Sequence, residues 1–139
     1  MFPKNINVKL IDEAFKNTLM SHLDIKIDEV GEDFISATMP VNSKTHQPLG
    51  YLHGGASLAL AESIGSMASH LLIDSEKYNT FGLEINANHI KSKRDGIVKA
   101  IARPIHLGKQ THIWDIRIED EEGNLVSVSR LTNIITPRK

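Results

Sequence analysis

His53-Gly54-Gly55-Ala56-Ser57-Leu58-Ala59-Leu60-Ala61-Glu62-Ser63-Ile64-Gly65-Ser66-Met67-Ala68-Ser69-His70-Leu71-Leu72-Ile73-Asp74 contains no proline and carries alanines and leucines at helical spacing. This predicts one long helix from about Gly54 to Asp74. At 100° per residue, Leu60, Ile64, Met67 and Leu71 share one stripe, and Glu62, Ser66 and Ser69 with Gly55 and Leu58 take the opposite one. Between Gly54 and Ile73 the only charged side chain is Glu62. A helix apolar nearly all round is expected to be buried, and a sheet wrapped around it is the simplest way to bury it.

The flanking sequence supplies that sheet. Upstream, Ile25 to Val30 and Phe34 to Val41 read as a hairpin around Gly31-Glu32-Asp33, with Ile35, Ala37, Met39 and Val41 alternating against Ser36 and Thr38. Downstream, Thr80 to Ile90, Gly96 to Ile105, Thr111 to Glu119 and Leu125 to Thr136 are four more strand-like runs. Asp120 to Asn124 forms a short hairpin loop between the last two. The opening Val8 to Leu23 is expected to form one amphipathic helix. The fold class is α+β, an antiparallel sheet around one central helix, in a single domain spanning residues 1–139.

Composition narrows the function. Sixteen Lys plus Arg against seventeen Asp plus Glu give a net charge of −1, without the single-sign excess of a nucleic-acid or anionic-membrane binder. The absence of cysteine excludes disulfides, thiolate metal sites and a Cys nucleophile. No segment reaches the ~18 apolar residues of a membrane span, so a cytoplasmic location is expected. The histidines show no His-x-x-x-His spacing, and no metal site is expected. His22, His46, His70 and His112 read as surface or packing residues, and Trp114 as packing on the helix beside Ile116 and Ile118.

Glu62 is the informative residue. Desolvation penalises a carboxylate on an apolar helix unless it is paired or hydrogen-bonded. One reading has Ser66, one turn on, satisfying it structurally; the other makes it a general base or nucleophile lining a cleft. The Gly54-Gly55 pair at the helix start exposes backbone N–H groups that can polarise a carbonyl, although two glycines also suit a tight turn.

Gln47-Pro48, Gly50-Tyr51-Leu52-His53-Gly54-Gly55-Ala56-Ser57, Leu60-Ala61-Glu62-Ser63-Ile64-Gly65-Ser66 and Gly82-Leu83-Glu84-Ile85-Asn86-Ala87-Asn88-His89 together resemble the hotdog-fold acyl-CoA thioesterases. Within these, the sequence most resembles the branch of the phenylacetic-acid-pathway thioesterases, the Arthrobacter-type 4-hydroxybenzoyl-CoA thioesterase and 1,4-dihydroxy-2-naphthoyl-CoA hydrolase. The resemblance runs from about Leu23 to Ile134. It implies a homodimer with a continuous sheet, commonly paired into a tetramer, and active sites at the dimer interface. In each site the Gly54 N–H and Gln47 of one subunit would polarise the thioester carbonyl, while Glu62 of the other attacks it or activates water. His53 would orient groups near the thioester, and Ser66 would hold the carboxylate or the water. For CoA the resemblance points to Gly82, His89-Ile90-Lys91-Ser92 and His106-Leu107-Gly108-Lys109-Gln110-Thr111, with Lys91 and Lys109 suited to phosphates. It implies no cofactor beyond the CoA of the substrate. Two alternatives stand beside hydrolysis: a hydroxyacyl-thioester dehydratase on the same fold, and a non-catalytic acyl-CoA-binding module.

Overall fold

The computed structural model describes residues 1–139. Its elements are α1 (Val8–Ala14), α2 (Leu19–His22), β1 (Lys26–Val30), β2 (Ile35–Pro40), α3 (Gly54–Leu72), β3 (Tyr78–His89), β4 (Ile97–Leu107), β5 (Thr111–Glu119) and β6 (Leu125–Pro137). The strands form one antiparallel sheet in the order β1-β2-β4-β5-β6-β3. The six strands and the central helix stand where the sequence places them, with ends differing by at most two residues.

Three expectations need correction. The segment Val8 to Leu23 is two helices. Asn17 adopts a left-handed φ of 60°, which ends the first, and the Thr18 N–H donates to Ser21 Oγ at the start of the second. The helix α3 is also rotated from the stripe drawn through its largest side chains. Its buried residues are Ser57, Leu60, Ala61, Ile64, Gly65, Ala68 and Ser69, while Met67 and Leu71 are half-buried. Finally, the sheet covers only one side of α3, so Gly55, Glu62 and His70 are exposed in the single chain.

Close packing explains the rotation. A Cβ on Gly65 would lie 2.5 Å from Leu131 Cδ2 and 3.0 Å from Ile116 Cδ1, both on wholly buried side chains. Beside the wholly buried Leu60 and Ile64, small residues therefore take the closest contact with the sheet, because larger ones there would hold the helix off it. Beneath them lie Ile35, Ala37 and Met39 of β2, Val98, Ala100 and Ala102 of β4, and Trp114, Ile116 and Ile118 of β5. Trp114 packs under the helix as expected, and Phe2 stacks on its other side with ring centroids 6.3 Å apart.

A polar knot pins the C-terminal half of α3. Ser69 Oγ accepts from Trp114 Nε1–H (2.8 Å) and Asn133 Nδ2–H (2.8 Å), which fills both lone pairs. Its own proton is then directed to His112 Nδ1, 3.0 Å away, so the neutral ring carries its hydrogen on Nε2. Ser69, His112 and Asn133 are all buried.

The two sheet edges differ. The edge strand β1 is short, bulged between Ile27 and Glu29, and lined by Lys26, Asp28 and Glu29, features that discourage strand addition. The edge strand β3 is twelve residues long, and Tyr78, Phe81 and Leu83 on it are exposed. No helix in the chain is long and apolar enough to cross a membrane.

Two measurements check this packing. Gly65→Ala gains helix propensity but overpacks the helix–sheet contact, and urea unfolding should show a net loss of about 1–3 kcal/mol. Burial pushes the His112 pKa below its usual 6.5; the Gly108 carbonyl opposes the shift and His106 adds to it. The unfolded chain therefore binds a proton more readily than the fold as pH drops below about 6.5. Stability should be constant above that range and fall below it, and the fall should be smaller in His112→Gln.

Candidate active site

The N-terminus of α3 is held by a braced loop. Thr45, buried between β2 and the helix, donates from Oγ1 to the Pro40 carbonyl (3.0 Å) and accepts the His53 N–H at its own carbonyl (2.8 Å). His46 Nε2 donates to the Arg94 carbonyl (2.7 Å), the Leu52 N–H to that of Lys93 (2.7 Å), and Arg94 Nη2 to Tyr51 Oη (2.8 Å). The Arg94 guanidinium also lies over the Tyr51 ring, 4.3 Å from its centroid.

Within this brace the helix amides are almost all spoken for. His53 is the N-cap: its Nδ1 accepts from Gly55 N–H at 2.7 Å, and its carbonyl accepts from Ala56 and Ser57. Of the first four N–H groups of α3, only that of Gly54 is left without a partner. His53 therefore caps the helix end within the chain and leaves the Gly54 N–H without a partner. Gln47 is arranged similarly. Its Oε1 accepts from Leu49 N–H (2.5 Å), which leaves the amide NH2 as its free end. Gln47, Gly54, His89 and Lys91 line one recess of about 360 Å³. His89 stands against the helix start, since a Cβ on Gly54 would lie 2.7 Å from its Nε2.

Glu62 opens elsewhere. It lines a groove of about 520 Å³ with Ser66, Leu58, Met67, Thr80 and, from α2, Met20. Its carboxylate makes no hydrogen bond or ion pair within the chain, and its floor is Gly82, where a Cβ would lie 2.9 Å from Oε2. Ser66 does not bond Glu62; it donates to Asn133 Oδ1 at 3.3 Å. Gly82 thus lies beside the carboxylate.

The two segments expected to hold CoA lie at opposite ends of the sheet. Thr111 and Phe81 share a row through Ile134, whereas His89 shares one with Ile118 through Ser127. Seven residues separate these rows along β5, about 23 Å at ~3.3 Å per residue. At the near end, His106 to Thr111 forms a turn closed by Gly108 N–H to the Thr111 carbonyl (2.9 Å), with His106, Leu107, Lys109 and Gln110 exposed. At the far end, Ile90 and Lys91 both donate to the Val126 carbonyl, and Ser92 is exposed. Lys109 is free of ion pairs, but Lys91 Nζ lies 2.5 Å from Asp120. That contact holds the Asp120 carboxyl well below the usual carboxylate range and raises Lys91. No three His, Asp or Glu side chains gather into a metal-sized cluster.

Comparison with known proteins places this geometry. The Thioesterase superfamily model matches residues 49–127. The 1,4-dihydroxy-2-naphthoyl-CoA hydrolase of Escherichia coli is 44% identical over 135 residues, covering 97% of this chain and 98% of the relative. The proofreading thioesterase EntH of Cronobacter turicensis is 39% identical over the same length, with the same coverage. Among solved structures, a mutant thioesterase of Pseudomonas aeruginosa superposes with a TM-score of 0.96 at 43% identity, covering 99% of each chain. The chain belongs to the thioesterase superfamily and has its hotdog fold, and its activity is thioester hydrolysis.

Sequence reasoning missed Met20 of α2 as groove lining, because one continuous helix gave no reason to turn it toward Glu62. It also missed Asn133, although an Asn in phase with Leu131 and Ser129 on the inward face of a strand signals a buried polar contact. Gly82→Ala should displace the Glu62 carboxylate while barely touching the core. We expect a nearly unchanged melting temperature with turnover lowered by 10-fold to on the order of 10², checked by calorimetry beside steady-state kinetics.

Proposed function

We propose that the chain hydrolyses the thioester of an aromatic or medium-size acyl-CoA to the free acid and CoA, as a homodimer in which each site joins two subunits. One observation carries this reading. The free Gly54 N–H and the Gln47 amide open into one recess and Glu62 into another, eight residues along the same helix, about 12 Å at 1.5 Å per residue. A thioester carbonyl oxygen and its carbon are little more than 1 Å apart, so donors and carboxylate of the same chain cannot serve one substrate. A second copy, brought in along the unpaired β3 edge, supplies the missing half to each site and covers the exposed Phe81 and Leu83. Two such dimers would make the tetramer.

In the assembled site the Gly54 N–H, at the positive end of α3, and the Gln47 NH2 face the carbonyl oxygen and stabilise the negative charge that develops there. Glu62 of the facing subunit either deprotonates water or adds to the carbon to give an anhydride that water then opens. The C–S bond breaks and the thiolate of CoA takes up a proton. No cofactor enters the reaction. Lys109 at one sheet end and His89 to Ser92 at the other come from different subunits toward one CoA, which accommodates their separation within a chain. The relatives named for 1,4-dihydroxy-2-naphthoyl-CoA hydrolysis and for proofreading support an aromatic acyl group and thioester cleavage.

Thiol release from benzoyl-, 4-hydroxybenzoyl-, phenylacetyl-, hexanoyl- and palmitoyl-CoA is expected to favour the aryl thioesters. Glu62→Ala or Glu62→Gln should lower turnover by a factor on the order of 10² or more, and Gln47→Ala by less. Co-refolding Glu62→Ala with Gln47→Ala tests the two-subunit site: mixed dimers hold one intact site, so activity should rise above either parent, toward about a quarter of wild type. An unchanged rate on mixing would place donors and carboxylate in one chain. A single turnover in oxygen-18 water tests the anhydride route, since label found in the Glu62 carboxylate requires it.

A further inference from the structure

Ser66 shares the groove of Glu62 one turn further along α3, and the direction of its hydroxyl proton is fixed from inside the core. Asn133 is wholly buried. Its Nδ2 donates to the Gly65 carbonyl (3.2 Å) and to Ser69 Oγ (2.8 Å). A carbonyl can only accept, so the amide has one admissible orientation, and Oδ1 is the end that faces Ser66 at 3.3 Å. That oxygen carries no hydrogen, so Ser66 must give its proton to Asn133, and only its lone pairs remain for the groove. Trp114 and His112, gathered on Ser69, hold Asn133 in this pose.

We propose that Asn133 is a positioning residue that keeps Ser66 an acceptor, so that Ser66 takes the second hydrogen of the water that Glu62 deprotonates. This rests on the hydrolase reading of the site and on its water-activation route. A water that attacks a carbonyl carbon needs a free lone pair aimed at it and its two hydrogens engaged elsewhere. Glu62 and Ser66, at positions i and i+4, are neighbours on the helix face and offer two acceptors across a small gap. As the water oxygen bonds to the carbonyl carbon, one hydrogen passes to Glu62, the C–S bond breaks, and that proton goes on to the departing sulfur. Were Ser66 free to turn, its O–H would point at the water oxygen and occupy the lone pair that must attack.

The test is a mutant cycle on the full-length enzyme with 4-hydroxybenzoyl-CoA: Ser66→Ala, Asn133→Ala and the double variant, with Asn133→Val filling the volume where alanine leaves a void. Each single variant should lower kcat on the order of tenfold at nearly constant KM. The double variant should be no slower than Ser66→Ala alone, because Asn133 then has no hydroxyl to orient. Ser66→Thr, which keeps the hydroxyl, should restore kcat and its sensitivity to Asn133. Losses that multiply in the double variant, or Asn133 variants with a lowered melting temperature but full kcat, would overturn the proposal. Normal turnover in Ser66→Ala beside an inactive Glu62→Gln overturns it while leaving the hydrolase reading intact, whereas normal turnover in Glu62→Gln removes both.

Discussion

The contact of Gly65 with Leu131 and Ile116 sets the distance between α3 and the sheet. Because Ser57, Ala61, Gly65 and Ala68 are the residues turned inward, the helix sinks into the concave face and its opposite stripe stands up as a ridge carrying Gly55, Glu62 and His70. A bulkier inner face would lift the helix, part Ser69 from Trp114 and His112, and carry Glu62 away from Gly82. Core packing and site geometry are therefore one constraint seen from two sides of the same helix.

The ends of that helix do different electrostatic work. At its N-terminus the His53 cap consumes one amide through its ring and two through its carbonyl, concentrating the positive end of the dipole on the single Gly54 N–H. Two turns on, Glu62 meets bare glycine instead of a cation, so its charge is left unneutralised by any neighbour in the chain. Where the molecule does pair charges closely, at Lys91–Asp120 and Lys93–Glu121, it fastens the segment after β3 to the β5–β6 hairpin loop. Pairing is used for scaffolding, while the Gly54 N–H and the Glu62 carboxylate stay unpaired within the chain.

Much of this was legible in the residues. Periodicity gave α3 and the six strands, since a proline-free Ala/Leu run and alternating strands follow from local geometry. The lone Glu62 and the Gly54-Gly55 start marked the candidate site for the same reason: each is a local departure from an apolar pattern. The rotation of α3 was not legible. Hydrophobicity puts the stripe through Leu60, Ile64, Met67 and Leu71, whereas helix–sheet distance, a property of two elements together, selects the small residues. The break at Asn17-Thr18 was present as an Asn followed by an N-capping Thr, but the spacing of apolar residues across it hid the stop. The polar knot around Ser69 joins residues more than forty positions apart, and no local pattern announces such a bond.

Phe2 belongs to no helix or strand, yet it is buried and stacks on Trp114 at the centre of β5. The segment matched by the superfamily model, residues 49–127, contains neither it nor β1 and β2, and stops three residues into β6. Cut to that segment, the sheet would lose one edge and most of the strand that carries Leu131 and Asn133, and Trp114 would lose its lid. The span that the superfamily model matches is thus smaller than the unit that folds, whose core runs from the second residue to the last strand.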